Sequence, residues 1–354
     1  MMVLEPSAPR PPRTAPGARS HTPKAKAPSK GSQAPRAPAP QERTLLAAAK
    51  AGVLTEALPY IQRWAGKTVV VKVGGEALID PDSLDSFVTD VVLLKFVGIN
   101  PVVVHGGGPQ ISAAMQEMGL APTFVNGKRV SDAETMQVVK RVLMQENRRL
   151  AAAIVARGAQ AAGISGEDAA VLHARRMPGP GGEDLGFVGE VERVNPSLIL
   201  RLIEKSHIPA VAPLGAGADG IYNINADLAA GALAGSLAAQ KIVFLTNVPG
   251  LYLDFGDAGS LVPQTTTGAL EQLLGEGTLS AGMIPKIEAV VAAMRAGVPQ
   301  AHILDGRVPH ALLLEIFTDQ GSGTMVLPDL PETPGAPGVS GPLLPPEGGK
   351  DSDR

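Results

Sequence analysis

The chain has 354 residues, 44% of them hydrophobic, which is enough to bury the core of one large α/β domain or of two smaller lobes. A net charge of −3 gives no general attraction for nucleic acid, and the absence of cysteine excludes disulfides, thiolate metal sites and cysteine nucleophiles. The six histidines are scattered without a pair at ligand spacing, so no metal site is expected, and no apolar run reaches the ~18 residues of a membrane span.

Residues 1–43 are rich in proline, alanine and basic residues and nearly free of acids, a composition that reads as a disordered tail. An organellar transit peptide, also basic and acid-poor, is the alternative; with no signal-type apolar segment, a cytoplasmic location is expected. Residues 44–66 read as an extra amphipathic helix, with Leu45, Leu46, Ala49, Leu54, Leu58, Ile61 and Trp64 along one stripe and a kink at Pro59. The stripe needs cover, from the chain's own domain or from another subunit.

A strand over 69–73 comes next, then a helix over 83–97, a strand over 101–105 and helices over 109–118 and 133–157. A hairpin-prone region, 163–194, contains the loop Pro178-Gly179-Pro180-Gly181-Gly182. Helices over 196–205, 227–237, 267–274 and 285–296 then alternate with strands over 208–213, 241–246 and 300–304. This alternation predicts an α/β fold, a mostly parallel sheet between two helical layers, filling residues 67–328. Residues 329–354 read as a second Pro/Gly-rich tail.

Two glycine turns directly follow buried-type strands: Lys72-Val73-Gly74-Gly75 and His105-Gly106-Gly107-Gly108-Pro109-Gln110. A backbone without Cβ atoms can turn sharply and bring its N–H groups against an anion where a helix starts. Lys72 interrupts an apolar strand; an unpaired buried ammonium is costly, so it either reaches solvent or faces a site. Lys286 stands at a helix start, where a cation opposes the helix dipole unless an anion is near. Asp227 reads as an N-cap or a site residue, and Arg129 as a carboxylate holder or a surface charge. Gly215-Ala216-Gly217-Ala218-Asp219-Gly220 matches a dinucleotide pattern, but extended-type chain follows it where a helix should begin.

Taken in order, these motifs resemble the N-acetyl-L-glutamate kinases of the amino acid kinase family, over residues 53–327. Besides the two turns they comprise Gly127-Lys128-Arg129-Val130, Tyr222-Asn223-Ile224-Asn225-Ala226-Asp227 and Leu245-Thr246-Asn247-Val248-Pro249-Gly250. Gly282-Met283-Ile284-Pro285-Lys286, Asp305-Gly306-Arg307-Val308-Pro309 and Glu315-Ile316-Phe317-Thr318 complete the set.

The resemblance implies the amino acid kinase fold, with an acetylglutamate-binding and dimer lobe at about 67–210 and an ATP-binding lobe at about 211–328. It implies phosphoryl transfer from ATP, with Mg2+, to the γ-carboxylate of N-acetyl-L-glutamate in arginine biosynthesis. By the same resemblance Lys72 and Lys286 flank the phosphoryl group in flight and Asp227 orients them. Gly75 and Gly107 offer phosphate-facing N–H groups, and Gly106, Gly107, Arg129 and Asn223 hold acetylglutamate. Gly74, Gly75, the stretch Asn247, Val248, Pro249, Gly250, Leu251 and Tyr252, and the trio Thr278, Leu279 and Ser280 bind the nucleotide.

The extra helix resembles that of arginine-sensitive relatives, implying a homodimer or a hexamer joined through it, with arginine as effector at Tyr60, His302 and Glu315. Two segments depart from the family pattern. Val142-Leu143-Met144-Gln145-Glu146-Asn147-Arg148 lacks a usual glycine and is one residue shorter, and Asp254-Phe255-Gly256-Asp257 stands where a lysine often contacts arginine. Two other readings share the chemistry or the fold: a kinase of carrier-protein-linked aminoadipate, and a non-catalytic domain that binds arginine or a partner.

Overall fold

The computed structural model describes residues 40–125, 128–179, 181–254, 256–319 and 321–329. Residues 1–39 and 330–354, which hold most of both expected tails, lie outside them. The first helix, α1 (Pro40–Trp64), begins four residues ahead of its expected start, at a proline suited to a helix's first turn. Asp329, expected to open the second tail, accepts a 2.7 Å hydrogen bond from the Gly268 N–H.

After α1 come β1 (Thr68–Val73), α2 (Gly75–Ile79), α3 (Pro81–Phe96), β2 (Asn100–His105) and α4 (Gly108–Glu117). The short strands β3 (Phe124–Val125) and β4 (Lys128–Arg129) lead into α5 (Ala133–Ala156) and β5 (Gln160–Ser165). Then follow β6 (Leu172–Pro178), β7 (Asp184–Val194), α6 (Ser197–Glu204), β8 (His207–Ala212), β9 (Leu214–Gly217) and β10 (Gly220–Ile224). The last part holds α7 (Ala226–Ser236), β11 (Lys241–Thr246), β12 (Gln264–Thr266), α8 (Thr267–Glu276), α9 (Ile284–Arg295), β13 (Ala301–Asp305), α10 (Ala311–Phe317) and β14 (Thr324–Leu327).

Eight strands form one sheet in the order β12-β14-β13-β11-β1-β2-β8-β5. The β13–β14 pair is antiparallel and the other neighbours are parallel. β1 sits near the middle, paired on both sides, and Val69, Val70, Val71 and Val73 are fully buried, as a strand covered on both faces requires. One face packs on α3, α5 and α10 through Phe87, Val91, Leu150, Ile154 and Leu312. The other packs on α7 and α9 through Ala230, Leu233, Ile287 and Val290. The hairpin-prone region becomes β6 and β7, which join β9 and β10 in a small closed barrel. There the Gly215–Gly220 pattern is the β9–β10 hairpin, with Gly220 at φ +146°, a conformation open to glycine; no helix starts within it.

The chain divides into two compact units, Met1–Val53 and Leu54–Arg354. The described part of the first is helical, and among the described residues all strands belong to the second. Among the described residues no helix is long and apolar enough to cross a membrane.

Candidate active site

Lys72 lies on β1 beside Phe244 of β11 and Val104 of β2. Side chains alternate along a strand, so Lys72 shares the face of Val70, the face covered by α7 and α9. The first turn of α7 is capped by Asn225, whose Oδ1 accepts from the N–H groups of Asp227 and Leu228 at 2.9 and 3.2 Å. Asp227 is therefore not the N-cap, and its carboxylate is left for other partners. α9 comes close to α7 because Gly231 has no side chain: a Cβ there would stand 2.6 Å from the Ala289 carbonyl oxygen. The two helix starts meet over Lys72. Lys72 Nζ lies 2.9 Å from Asp227 Oδ1, and Lys286 Nζ donates to Asp227 Oδ1 and Oδ2 at 3.1 and 3.2 Å.

Asp227 is 8% exposed and Lys286 5%. Burial by itself would raise the Asp227 carboxyl, but the two ammonium groups outweigh it and hold the group below the ordinary aspartate value. Lys286 is pushed down to about 8, first by burial and then by the charge of Lys72, with Asp227 acting in the opposite direction. Lys286 sits in the first turn of α9, an unfavourable place for a cation, and Asp227 supplies the offsetting anion. Two cations on one carboxylate leave an excess positive charge at the carboxyl end of the sheet, where ligands of open α/β sheets bind.

The cluster borders a cavity of about 660 Å³, lined also by Gly74, Gly75, Asn247 and Gly282. The two glycine turns touch behind it: a Cβ on Gly75 would lie 3.2 Å from Gly107 Cα, and the Gly106 N–H donates to the Val73 carbonyl at 2.9 Å. Gln110 ties them together, its Nε2 donating to the Gly75 carbonyl at 2.8 Å.

Arg129 is 7% exposed, so it is not a surface charge. Its guanidinium donates to the Gly108 carbonyl and Ser112 Oγ at 3.1 and 2.7 Å and lies over the Phe124 ring. All of these partners are neutral, and among the described residues Arg129 has no carboxylate; burial alone draws its pKa below the ordinary arginine value. A buried cation in that state fits an anionic ligand. Asn223 Nδ2 donates to Ser131 Oγ at 3.3 Å, and Ser131 Oγ donates to the Arg129 carbonyl at 3.0 Å, so these residues form one connected group.

The nucleotide stretches are brought together only in part. Asn247 lines the cavity, whereas Val248, Pro249, Gly250, Leu251, Tyr252, Thr278, Leu279 and Ser280 do not. Gly250 and Leu251 are buried against Thr324, whose Oγ1 accepts from the Leu251 N–H at 2.8 Å, and Leu279 is half-buried against the core. Glu76, Asp80 and Arg307 line the cavity without having been singled out. Glu76 belongs to α2, too short to give a period, while Arg307 stood in a quoted motif and is held by Asp305 at 2.8 and 2.7 Å.

Residues 67–305 match the amino acid kinase family. The acetylglutamate kinase of Desulforamulus reducens is 47% identical over 281 residues, 79% of this chain and 98% of that protein. The chain belongs to the amino acid kinase family. Among solved structures, N-acetylglutamate synthase from Neisseria gonorrhoeae complexed with coenzyme A and N-acetyl-glutamate superposes with a TM-score of 0.70 at 26% identity. That match covers 79% of this chain and 64% of the synthase chain. The same synthase complexed with coenzyme A and L-arginine gives 0.67 at 26%, covering 78% and 65%.

This amino acid kinase has a second cavity, of about 380 Å³, lined by Tyr60, Trp64, Lys241, His302 and Glu315. It therefore brings together the three residues expected to hold an effector. Glu315 is not unpartnered, however: its Oε1 accepts from Lys241 Nζ and lies against His302 Nδ1, each at 2.8 Å. Burial would raise the Glu315 carboxyl, but His302 and Lys241 outweigh it and keep it below the ordinary value. Lys241 had no role in the sequence reading, because a lysine opening a strand looks like any edge charge.

Proposed function

We propose that this amino acid kinase transfers the γ-phosphoryl group of ATP to the γ-carboxylate of N-acetyl-L-glutamate, as the names of its relatives suggest, giving the acyl phosphate of arginine biosynthesis. The observation that carries the reading is the Lys72–Asp227–Lys286 cluster beside the two glycine turns. The acceptor carboxylate, with a glutamate-like pKa of about 4.3, is already ionised at neutral pH, so no general base is needed. The difficulty is bringing an anion against a polyanion and stabilising charge on the group in transfer.

Lys72 and Lys286 supply that stabilisation from either side, and Asp227 fixes both ammonium groups before the substrates arrive. The N–H groups of Gly75 and Gly107 face the phosphate, with Gly74 beside them. Arg129 and Asn223, with Gly106 and Gly107, hold acetylglutamate through its charged and amide groups. Asn247 and the loop through Tyr252, with Thr278, Leu279 and Ser280, hold the nucleotide. The residues present fit a magnesium ion that arrives on ATP, because both oxygens of Asp227 are taken by ammonium groups and coordination falls to phosphate oxygens and water. Such an ion would neutralise phosphate charge.

The test is a hydroxamate assay with ATP and acetylglutamate. Turnover is expected, and its absence refutes the reading. A carrier-bound aminoadipate preferred over the free acetylated amino acid would move the enzyme to the related lysine-pathway chemistry.

Arginine is the effector we assign to the second cavity, with Tyr60, His302 and Glu315 around it; the arginine-bound synthase supports this by likeness. Leu54 and Leu58 on α1 are exposed, which suits a contact with another subunit in a dimer or a ring of dimers. Equal activity with and without millimolar arginine refutes the effector role, and a monomer in sedimentation refutes the contact.

A further inference from the structure

The Gly106–Gly107 turn is set from behind by groups that the reaction above leaves unused. His105 ends β2, Asn147 reaches it from α5, and both are fully buried. Asn147 Nδ2 lies 2.8 Å from the Ala210 carbonyl oxygen and 3.0 Å from His105 Nε2, while His105 Nδ1 lies 3.0 Å from the Gly106 carbonyl oxygen. A carbonyl oxygen only accepts, so the atom facing Ala210 is the amide nitrogen of Asn147. The second N–H of that amide then meets His105 Nε2, which must be a bare acceptor. The ring proton is therefore on Nδ1 and is donated to the Gly106 carbonyl. One main-chain carbonyl on β8 thus selects the tautomer of a histidine on β2.

Burial keeps the ring neutral, pushing its pKa down to about 4, with the bond to Gly106 acting the other way. The Gly106–Gly107 peptide is trans and planar, so its C=O and N–H point in opposite directions. Drawing the Gly106 oxygen to the ring turns the Gly107 N–H away from it. That N–H donates to no acceptor among the described residues. Gly163 on β5 leaves the space for this arrangement, since a Cβ there would overlap Asn147 Oδ1. Asn147 lies in the very segment that departs from the family pattern, so the departure leaves this lock in place.

We propose that His105, held as its Nδ1–H tautomer by Asn147, is a positioning residue that aims the Gly107 N–H at the anionic group in transfer. The role rests on the kinase reading of the site; the tautomer does not. In wild-type protein labelled with 15N-histidine, the His105 ring, assigned by the signals lost in His105→Asn, is expected as Nδ1–H and unchanged between pH ~5.5 and ~8. An Nε2–H ring, or one that titrates in that range, overturns the proposal.

Kinetics then separate aiming from packing. His105→Asn places an amide N–H where Nδ1–H was, and His105→Gln places the amide where Nε2 was; both leave a gap and lower Tm. With wild-type turnover measured first, kcat is expected to stay within about threefold in His105→Asn and to fall about tenfold or more in His105→Gln, with the KM for ATP unchanged. Equal losses that track Tm reduce His105 to packing and overturn the role. No turnover in the wild type refutes the kinase reading and the role with it, while the ring spectrum still decides the tautomer.

Discussion

Replacing Asp227 by asparagine removes the carboxylate that the Lys72 and Lys286 ammonium groups share, and the pH profile should report it. At about 3 Å and an effective dielectric constant of about 20, each attraction amounts to about 5 kcal/mol before desolvation is counted. In the wild type burial and Lys72 bring Lys286 down to about 8, and the attraction to Asp227 keeps it from falling further. In the proposed reaction the charged amine is needed for transfer, so kcat/KM, which follows the free enzyme, should be flat below that pH and fall about tenfold per unit above it. An opposite charge at such range shifts a pKa by about one to three units. In Asp227→Asn the alkaline limb should therefore move down by that much, to between about 5 and about 7, and near pH ~7 the ionisation loss alone is about two- to a hundredfold.

The assay is hydroxamate formation between pH ~6 and ~9.5, with circular dichroism to confirm folding, because breaking a buried pair also costs about 3–5 kcal/mol. Lys286→Arg, which does not deprotonate in this range, should lose the limb altogether. An alkaline limb at the same pH in wild type and Asp227→Asn would show that Lys286 does not feel Asp227, and would sink the electrostatic argument.

Three further outcomes are expected. Lys72→Ala and Lys286→Ala should each lower kcat by about a hundredfold or more, since each removes a cation from the group in transfer; a loss under about threefold in either denies it that role. Arg129→Ala should raise the KM for acetylglutamate by about ten- to a hundredfold and leave that for ATP nearly unchanged, and a change confined to ATP would contradict the placement of the two ligands. Gly231→Ala forces a Cβ against the Ala289 carbonyl, so it should destabilise by about 1–3 kcal/mol in urea melts and lower kcat by parting Asp227 from Lys286. An unchanged Tm and kcat would show that α7 and α9 can yield there.

The central strands were legible because a strand buried on both faces is apolar nearly throughout: Val102–Val104 are, and β1 is at Val69, Val70, Val71 and Val73, with Lys72 the one exception. The edge of the sheet was not. β12 and β14 are three and four residues long, too short for a period, and gain their order only by pairing with one another and with β13. The barrel was visible only as a tendency to hairpins, because its closure depends on β10 meeting β7 across an intervening helix and strands.

At the site, sequence alone marked Lys72 as anomalous, since an ammonium in an apolar strand has to be explained. It left Asp227 between cap and site and Arg129 between holder and surface, because neither burial nor a partner is encoded locally. Folding decided both. Asn225 takes the capping role and frees Asp227 for two lysines, one of them 59 residues away in the chain. Arg129 is enclosed by Phe124, Met115 and Ser112 with neutral partners only. The sequence by itself determined which strands are buried, where the glycine turns fall and which charges needed a reason. Which charges meet, which stay unpaired and which proton a buried histidine keeps were decided only by the tertiary structure, because those depend on contacts between segments far apart in the chain.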